Sequence, residues 1–245
     1  GYHFTFASNL LLYGINDIFD YETDKLNPKK QKYEALVTPE ERPSLLYWIL
    51  IAHAPIIALI WMWWSAAPGI EAPLLTFCIL SLLFIVLSIG YSAPPIRAKA
   101  RPFWDSLFNI LYVLPGLMSY LLVADISTVQ WPLVLAACLW CMAMHAYSAV
   151  PDIDSDTRAG LRTIATTLGK TRTLWFCIMC YAGAALLSVS ALDWLAYLLG
   201  GIYLVLMGLS INAKNQTTLF RYYKLFPWIN TAAGAALFFF ILLVK

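Results

Sequence analysis

Apolar stretches interrupted by short polar ones run the length of the chain. Eight of them, at approximately 2–24, 43–65, 71–91, 103–124, 129–150, 171–191, 193–213 and 226–244, have about the 20 residues that a helix needs to span a bilayer. Pro43, Pro73, Pro132 and Pro227 fall near predicted helix starts, where a missing N–H costs little. Pro55, Pro115 and Pro151 fall inside or near the ends of helices and are expected to kink them. The pattern predicts an all-α, polytopic membrane bundle of eight transmembrane helices forming a single domain over 1–245. A polar excursion at about 25–42 holds Asn27-Pro28-Lys29-Lys30 and Thr38-Pro39-Glu40-Glu41, and the second of these reads as the start of a short helix.

Composition agrees, with 61% hydrophobic and 12% charged residues, against roughly 45–50% and 25% in soluble domains. The distribution of charge says more than the net value of +2. Lys25, Lys29, Lys30, Lys32 and Arg42 follow the first predicted span, and Arg97, Lys99 and Arg101 follow the third. Arg158, Arg162, Lys170 and Arg172 follow the fifth, and Lys214, Arg221 and Lys224 the seventh. Only Lys245 falls on the other side, so the positive-inside rule predicts that the basic connections are cytoplasmic and the protein sits in the plasma membrane. No signal-peptide pattern opens the chain. Gly1 begins almost within an apolar segment on the predicted outer side, which leads to the expectation of one preceding helix. Cys138-x-x-Cys141 and Cys177-x-x-Cys180 lie in apolar runs and read as packing residues rather than zinc ligands or disulfides.

Candidate chemistry starts with Asn16, Asp17, Asp20 and Asp24, which close the first span. Residues 16, 20 and 24 share one helix face, where like charges and the negative end of the helix dipole call for a cation. Taken alone, this stripe is equally a solvated acidic helix end beside Lys25, Lys29 and Lys30. A second acidic set, Asp152, Asp154 and Asp156, closes the fifth span. Two carboxylate clusters with nearby Arg and Lys suit Mg²⁺ and a diphosphate, since Mg²⁺ prefers one or two carboxylates together with phosphate oxygens. The aromatic residues, 15% of the chain, offer faces that stabilise a carbocation. A calcium loop from Asp152 fails, because Thr157 and Thr163 stand where Gly and Glu are needed. His145 lies on an apolar helix and reads as a core residue with a lesser prospect of a direct role, while His3 and His53 have no partner visible in the sequence. The spacing of Asn9, Tyr13, Asn16, Asp20 and Asp24 recurs in Cys141, His145, Ser148, Asp152 and Asp156, suggesting a two-fold pseudo-repeat. No nucleic-acid pattern, phosphate-cradling Gly loop or Ser-His-Asp arrangement emerges.

Asn16-Asp17-x-x-Asp20-x-x-x-Asp24, together with Asp152-x-x-x-Asp156-x-x-x-Gly160, resembles the paired motifs of the UbiA family of intramembrane prenyltransferases. Tyr91-Ser92-Ala93-Pro94-Pro95-Ile96-Arg97-Ala98-Lys99 resembles the basic motif between them. That family has nine transmembrane helices around a lipid-accessible cavity, which implies that the first is absent here. Within it, Tyr13-Gly14-Ile15-Asn16-Asp17, Tyr112-Val113-Leu114-Pro115-Gly116 and Ser148-Ala149-Val150-Pro151-Asp152-Ile153 are similar to lycopene elongases. The resemblance implies an Mg²⁺-dependent transfer of a dimethylallyl group from its diphosphate to lycopene in the lipid bilayer. It implies that Asn16, Asp20, Asp152 and Asp156 are catalytic and bind metal, with Asp17 and Asp24 as further metal candidates. Arg97, Lys99, Arg158 and Arg162 would bind the diphosphate. Gly116, Ser119, Gly183 and Gly201 are candidates for leaving room for a long acceptor. An aromatic quinone precursor is the rival acceptor, and a transporter the rival class. The sequence sets neither the oligomeric state nor whether water is added.

Overall fold

In a computed structural model, the described residues (2–25, 36–66, 69 and 71–244, without the side chains of 22–24) are helices joined by turns. The helices are α1 (Ser8–Asp24), α2 (Arg42–Ala66), α3 (Glu71–Ser92), α4 (Trp104–Leu107), α5 (Leu114–Leu121) and α6 (Trp131–Ala149). They continue with α7 (Ile153–Arg158), α8 (Ile164–Leu192), α9 (Trp194–Ile211), α10 (Gln216–Tyr223) and α11 (Phe226–Val244). Six stretches among the described residues are long and apolar enough to cross a membrane: α2, α3, α6, α8, α9 and the run Gln216–Val244. Their outer faces carry exposed Leu50, Trp61, Leu82, Met179 and Leu243, as expected of helices solvated by lipid. The protein is therefore an integral membrane protein by the length and composition of its helices.

Two of the eight predicted spans differ from this picture. The first, predicted as one helix over 2–24, begins with a π-helical turn at His3–Ala7 before α1. The span predicted over 103–124 is divided into α4, a 3₁₀ turn at Phe108–Tyr112, and α5. Asn109 Nδ2 donates to the Asp105 carbonyl at 2.6 Å, a local side-chain bond of the kind that competes with regular helix. Pro115 begins α5 instead of kinking a continuous span.

Local sequence explains the other boundaries. Thr38-Pro39-Glu40-Glu41 leads directly into α2, with Glu41 Oε2 accepting from the Thr38 amide at 2.9 Å, so no separate short helix forms there. The helix predicted from 171 begins at Ile164, because Thr163 and Thr166 cap it reciprocally. Gly169, at φ 72°, then kinks it. Lys170 Nζ donates to the Ala213 carbonyl just beyond the end of α9 (2.6 Å), where the helix dipole favours a cation. Most of the polar excursion, including Asn27, Pro28, Lys29, Lys30 and Lys32, lies outside the described residues, as does Lys245.

The chain divides into two compact units, Gly1–Lys99 with Leu111–Val129, and Ala100–Ile110 with Gln130–Lys245. In the first, Leu11, Leu12, Ile15 and Ile18 of α1 pack with Ile49, Phe77, Phe84 and Met118. Gly14 permits the close approach of α2, since a Cβ there would stand 2.9 Å from Ile49 Cδ1. In the second, α6, α8 and α9 bury Tyr147, Leu174, Cys177, Tyr181, Leu206 and Met207. Polar ties join its helices: Tyr147 Oη with Ser210 Oγ, and Tyr203 Oη with Asn230 Oδ1, both at 2.9 Å. Gly200 faces Ala185 so closely that a Cβ would lie 2.6 Å from the Ala185 Cβ. Gly183 meets Leu139 and so serves packing, whereas Gly201 lines an open apolar groove of about 440 Å³ with Leu198, Val205 and Leu225. All five cysteines are free thiols, three of them buried.

Candidate active site

In the first unit, α1 runs unbroken to Asp24, so Asn16 and Asp20 lie one turn apart on one face. After α3 the chain turns back, with the Arg97 amide donating to the Ala93 carbonyl at 2.8 Å. Arg97 adopts φ 43°, in the left-handed region, and a 3₁₀ turn at Ala98–Ala100 follows. The reversal brings Lys99 to α1. Its Nζ donates to Asn16 Oδ1 (3.1 Å) and forms an ion pair with Asp20. Ser92 Oγ donates to the same Asn16 oxygen at 2.9 Å. Arg97 stands 4.0 Å from Asp20 and is 40% exposed, against 13% for Asp20 and 12% for Lys99. The cation that the acidic stripe calls for is thus supplied within this structure by a lysine.

The other sequence candidates at this end are arranged around that cluster. Asp17 is half-buried on the adjoining face of α1. Asp24 ends the helix, and its side chain lies outside the described residues. Lys25 and Arg42 both approach the Tyr21 ring, at 5.7 and 5.9 Å from its centroid, where the aromatic face attracts a cation.

In the second unit, α6 stops at Ala149, one residue short of the cap that precedes Pro151. Gln216 of α10 holds the Pro151 carbonyl at 2.8 Å. Asp152 then precedes the separate short helix α7, so the proposed pseudo-repeat does not continue on one helix as it does in α1; a proline there has no N–H to carry α6 onward. The Asp156 amide donates to the Asp152 carbonyl at 2.8 Å, which sets those two residues one turn apart, with Asp154 exposed between them. Gly160, at φ 70°, ends the turn, and the Leu161 amide returns to the Asp156 carbonyl at 2.9 Å. Arg158 and Arg162 are exposed on either side of that reversal.

The electrostatics here contrast with those of the first unit. Burial first, and then the charges of Asp152 and Asp105, push the Asp156 carboxyl up from 3.8 to about 6, with His145 working in the other direction. A half-buried acid made reluctant to ionise by neighbouring acids is the environment that a bound cation would relieve. Asp105 is fully buried. Its Oδ1 accepts from the Ser106 amide (2.9 Å) and its Oδ2 from the Ile164 amide (2.6 Å), with His145 Nε2 at 3.8 Å from Oδ2. Sequence reading did not single out Asp105. The available signal was an ionisable residue within an apolar run, which carries a functional expectation in a membrane protein.

Among the described residues, no group of three or more His, Cys, Asp or Glu surrounds a single point. A site completed by phosphate oxygens needs fewer protein ligands, and Mg²⁺ commonly takes only one or two carboxylates. Asp152 and Asp156 fit that requirement by donor type and by the raised carboxyl of Asp156. Asn16 and Asp20 offer oxygens of the same kind, each here engaged by Lys99.

Comparison with known proteins covers nearly the whole chain. Residues 3–244 match the UbiA prenyltransferase family. A lycopene elongase/hydratase of Haloarcula japonica is 34% identical over 244 residues, covering 95% of this chain and 74% of that protein. A lycopene elongase/hydratase of Haloferax volcanii is 36% identical over 233 residues, covering 95% and 72%. The apo structure of a UbiA homolog from Aeropyrum pernix K1 shares the fold, with a TM-score of 0.67 over 96% of this chain and 86% of that one, at 17% identity.

Proposed function

The chain belongs to the UbiA prenyltransferase family and is an enzyme that transfers prenyl groups; from that premise we propose that it moves a dimethylallyl group from its diphosphate to lycopene, using Mg²⁺. The observation that carries the diphosphate reading is the meeting of Lys99 with Asn16 and Asp20. It joins the basic motif and the first acidic motif, 83 residues apart, into one polar cluster. The choice of lycopene rests on the named activity of the two haloarchaeal relatives.

In this reading Arg97 and Lys99 bind diphosphate oxygens, and Lys99 exchanges Asp20 for the substrate. Arg158, the last residue of α7, and Arg162 beyond it are the second unit's candidates for binding a diphosphate. Asn16 and Asp20 are the first unit's candidates for holding Mg²⁺, with Asp17 and Asp24 as supporting acids, and Asp152 and Asp156 are the second unit's. Bound Mg²⁺ supplies positive charge that favours departure of the diphosphate. Arg97 and Lys99 stabilise the charge that develops on the diphosphate as the carbon–oxygen bond breaks. A double bond of the acceptor attacks the allylic cation, and loss of a proton or capture of water completes the reaction. The whole of 1–245 acts as one domain with eight spans, α1 and the α4–α5 region contributing two beyond the six long ones. The polar excursion and the basic connections face the cytoplasm, and the protein lies in the plasma membrane.

The test is expression of the intact natural protein in a lycopene-making host, followed by mass analysis of the pigments. The expected pigment is lycopene enlarged by one or two five-carbon units, and absent with Asp20→Ala. Unchanged lycopene beside a prenylated aromatic acid would replace the acceptor. No prenylated product from folded protein would refute the reading.

A further inference from the structure

The loop from Asp152 to Arg162 carries three acids and two arginines between the end of α6 and the start of α8. One buried carboxylate reaches both flanks of that loop. Asp105 Oδ2 accepts from the amide of Ile164, the first residue of α8, at 2.6 Å, and stands 3.8 Å from Nε2 of His145, one turn before α6 ends. Its other oxygen accepts from the Ser106 amide at 2.9 Å.

The segment that bears this carboxylate is itself fastened. The Asp105 amide donates to the Arg101 carbonyl at 3.0 Å, and its carbonyl accepts from Asn109 Nδ2 at 2.6 Å. Burying a carboxylate entirely is costly unless the groups it holds repay the loss of water. Thr163 and Thr166 cap the start of α8 reciprocally and leave the Ile164 amide to Asp105, which also faces His145 of α6 and so reaches beyond the capping of α8. Asp105 makes no hydrogen bond to Asp152 or Asp156, although its charge reaches Asp156 through space. What it holds is the distance between the two anchors from which the loop hangs.

We infer that Asp105 is a positioning residue that, through His145 and the Ile164 amide, clamps both ends of the Asp152–Arg162 loop and so presets its side chains for a diphosphate. This inference rests on the prenyl-diphosphate reading for its kinetic consequence, but not for its structural one. Asparagine at 105 keeps the size of the side chain and can accept one of the two amide protons, while losing the charge that attracts the imidazole.

The experiment uses the full-length protein in lipid vesicles, comparing wild type with Asp105→Asn, His145→Gln and the double variant. Amide hydrogen exchange is measured over 153–163 without ligand, and KM separately for dimethylallyl diphosphate and for the lipophilic acceptor. Asp105→Asn is expected to speed exchange across the loop and to raise the KM for the diphosphate about tenfold or more, the scale on which supporting residues act. The acceptor KM should stay unchanged, and the double variant should be no worse than the poorer single one, because His145 acts on the loop through Asp105. Wild-type exchange in Asp105→Asn would overturn the inference. So would an equal rise in both KM values with faster exchange throughout the protein, which marks general loosening. A wild-type protein that turns over no prenyl diphosphate would refute the enzyme reading, and the exchange comparison alone would then decide the clamp.

Discussion

The two polar clusters use the same acidic side chain to opposite electrostatic ends. In the first unit, Asp20 is paired with Lys99, and Asn16 accepts from both Lys99 and Ser92, so the charge of the acid is balanced by the protein itself. In the second, the groups that shift Asp156 are burial, two further carboxylates and one imidazole, and the carboxyl titrates at about 6. One cluster has a resident cation to give up, and the other has a need for one. In the proposed reading, Lys99 would turn to phosphate oxygens in the first unit, and the acids of the second would hold a cation.

The largest effect that would break the comparison comes from removing an acid on either side. Asp20→Ala and Asp156→Ala should each lower turnover by about 10²-fold or more, the scale of a lost group acting on developing charge, with the helices still inserted in membranes. Steady-state assays on equal amounts of folded enzyme check this. Mild and equal losses would reduce both clusters to solvated acidic ends. Lys99→Met comes next. It should weaken binding of the prenyl diphosphate by about tenfold while removing the Lys99–Asp20 ion pair, which a competition assay with inorganic pyrophosphate reads. Asp154→Ala should be the smallest of the substitutions, with activity close to wild type, since residue 154 lies off the helical face that residues one turn apart, 152 and 156, share.

A change of pH sharpens the comparison without a substitution. The folded protein holds the Asp156 proton more tightly than the unfolded chain, with about 6 against 3.8. Raising the pH across that window therefore favours the unfolded state, and the metal-free protein should lose thermal stability as the acid ionises. Asp156→Asn should remove that part of the slope. Mg²⁺ should restore more stability to wild type at pH 7 than at pH 5, because binding needs the ionised carboxylate. Melting curves in detergent at fixed ionic strength provide the measurement.

Most long helices were legible because their apolar runs are uninterrupted and a proline stands near several of their starts. Ser8–Asp24 was legible as a helix as well, and the shared face of Asn16 and Asp20 follows from its period alone. The division at 104–121 was not. It depends on Asn109 turning back to the Asp105 carbonyl and on Asp105 reaching Ile164, 59 residues further on. Periodicity cannot report a bond to so distant an amide. The early start of α8 had a local signal in Thr163 and Thr166, overshadowed by the more polar composition up to Arg172. His145 read as a core residue, and only the fold sets it beside a buried carboxylate. Lys99 was legible as part of a basic motif, but that it meets Asn16 and Asp20 depends on the chain reversing after α3.

The role proposed for these acids and cations is transfer of a five-carbon unit to a lipid-soluble acceptor. Its most direct test is a paired count in vesicles containing lycopene, dimethylallyl diphosphate, Mg²⁺ and the intact enzyme. Pyrophosphate released and five-carbon units added to lycopene are measured in the same sample. The account predicts that the two rise together, one for one, and that both vanish in Asp20→Ala and in Asp156→Ala. Pyrophosphate release with no enlarged lycopene, or enlargement that persists in both variants, would contradict it.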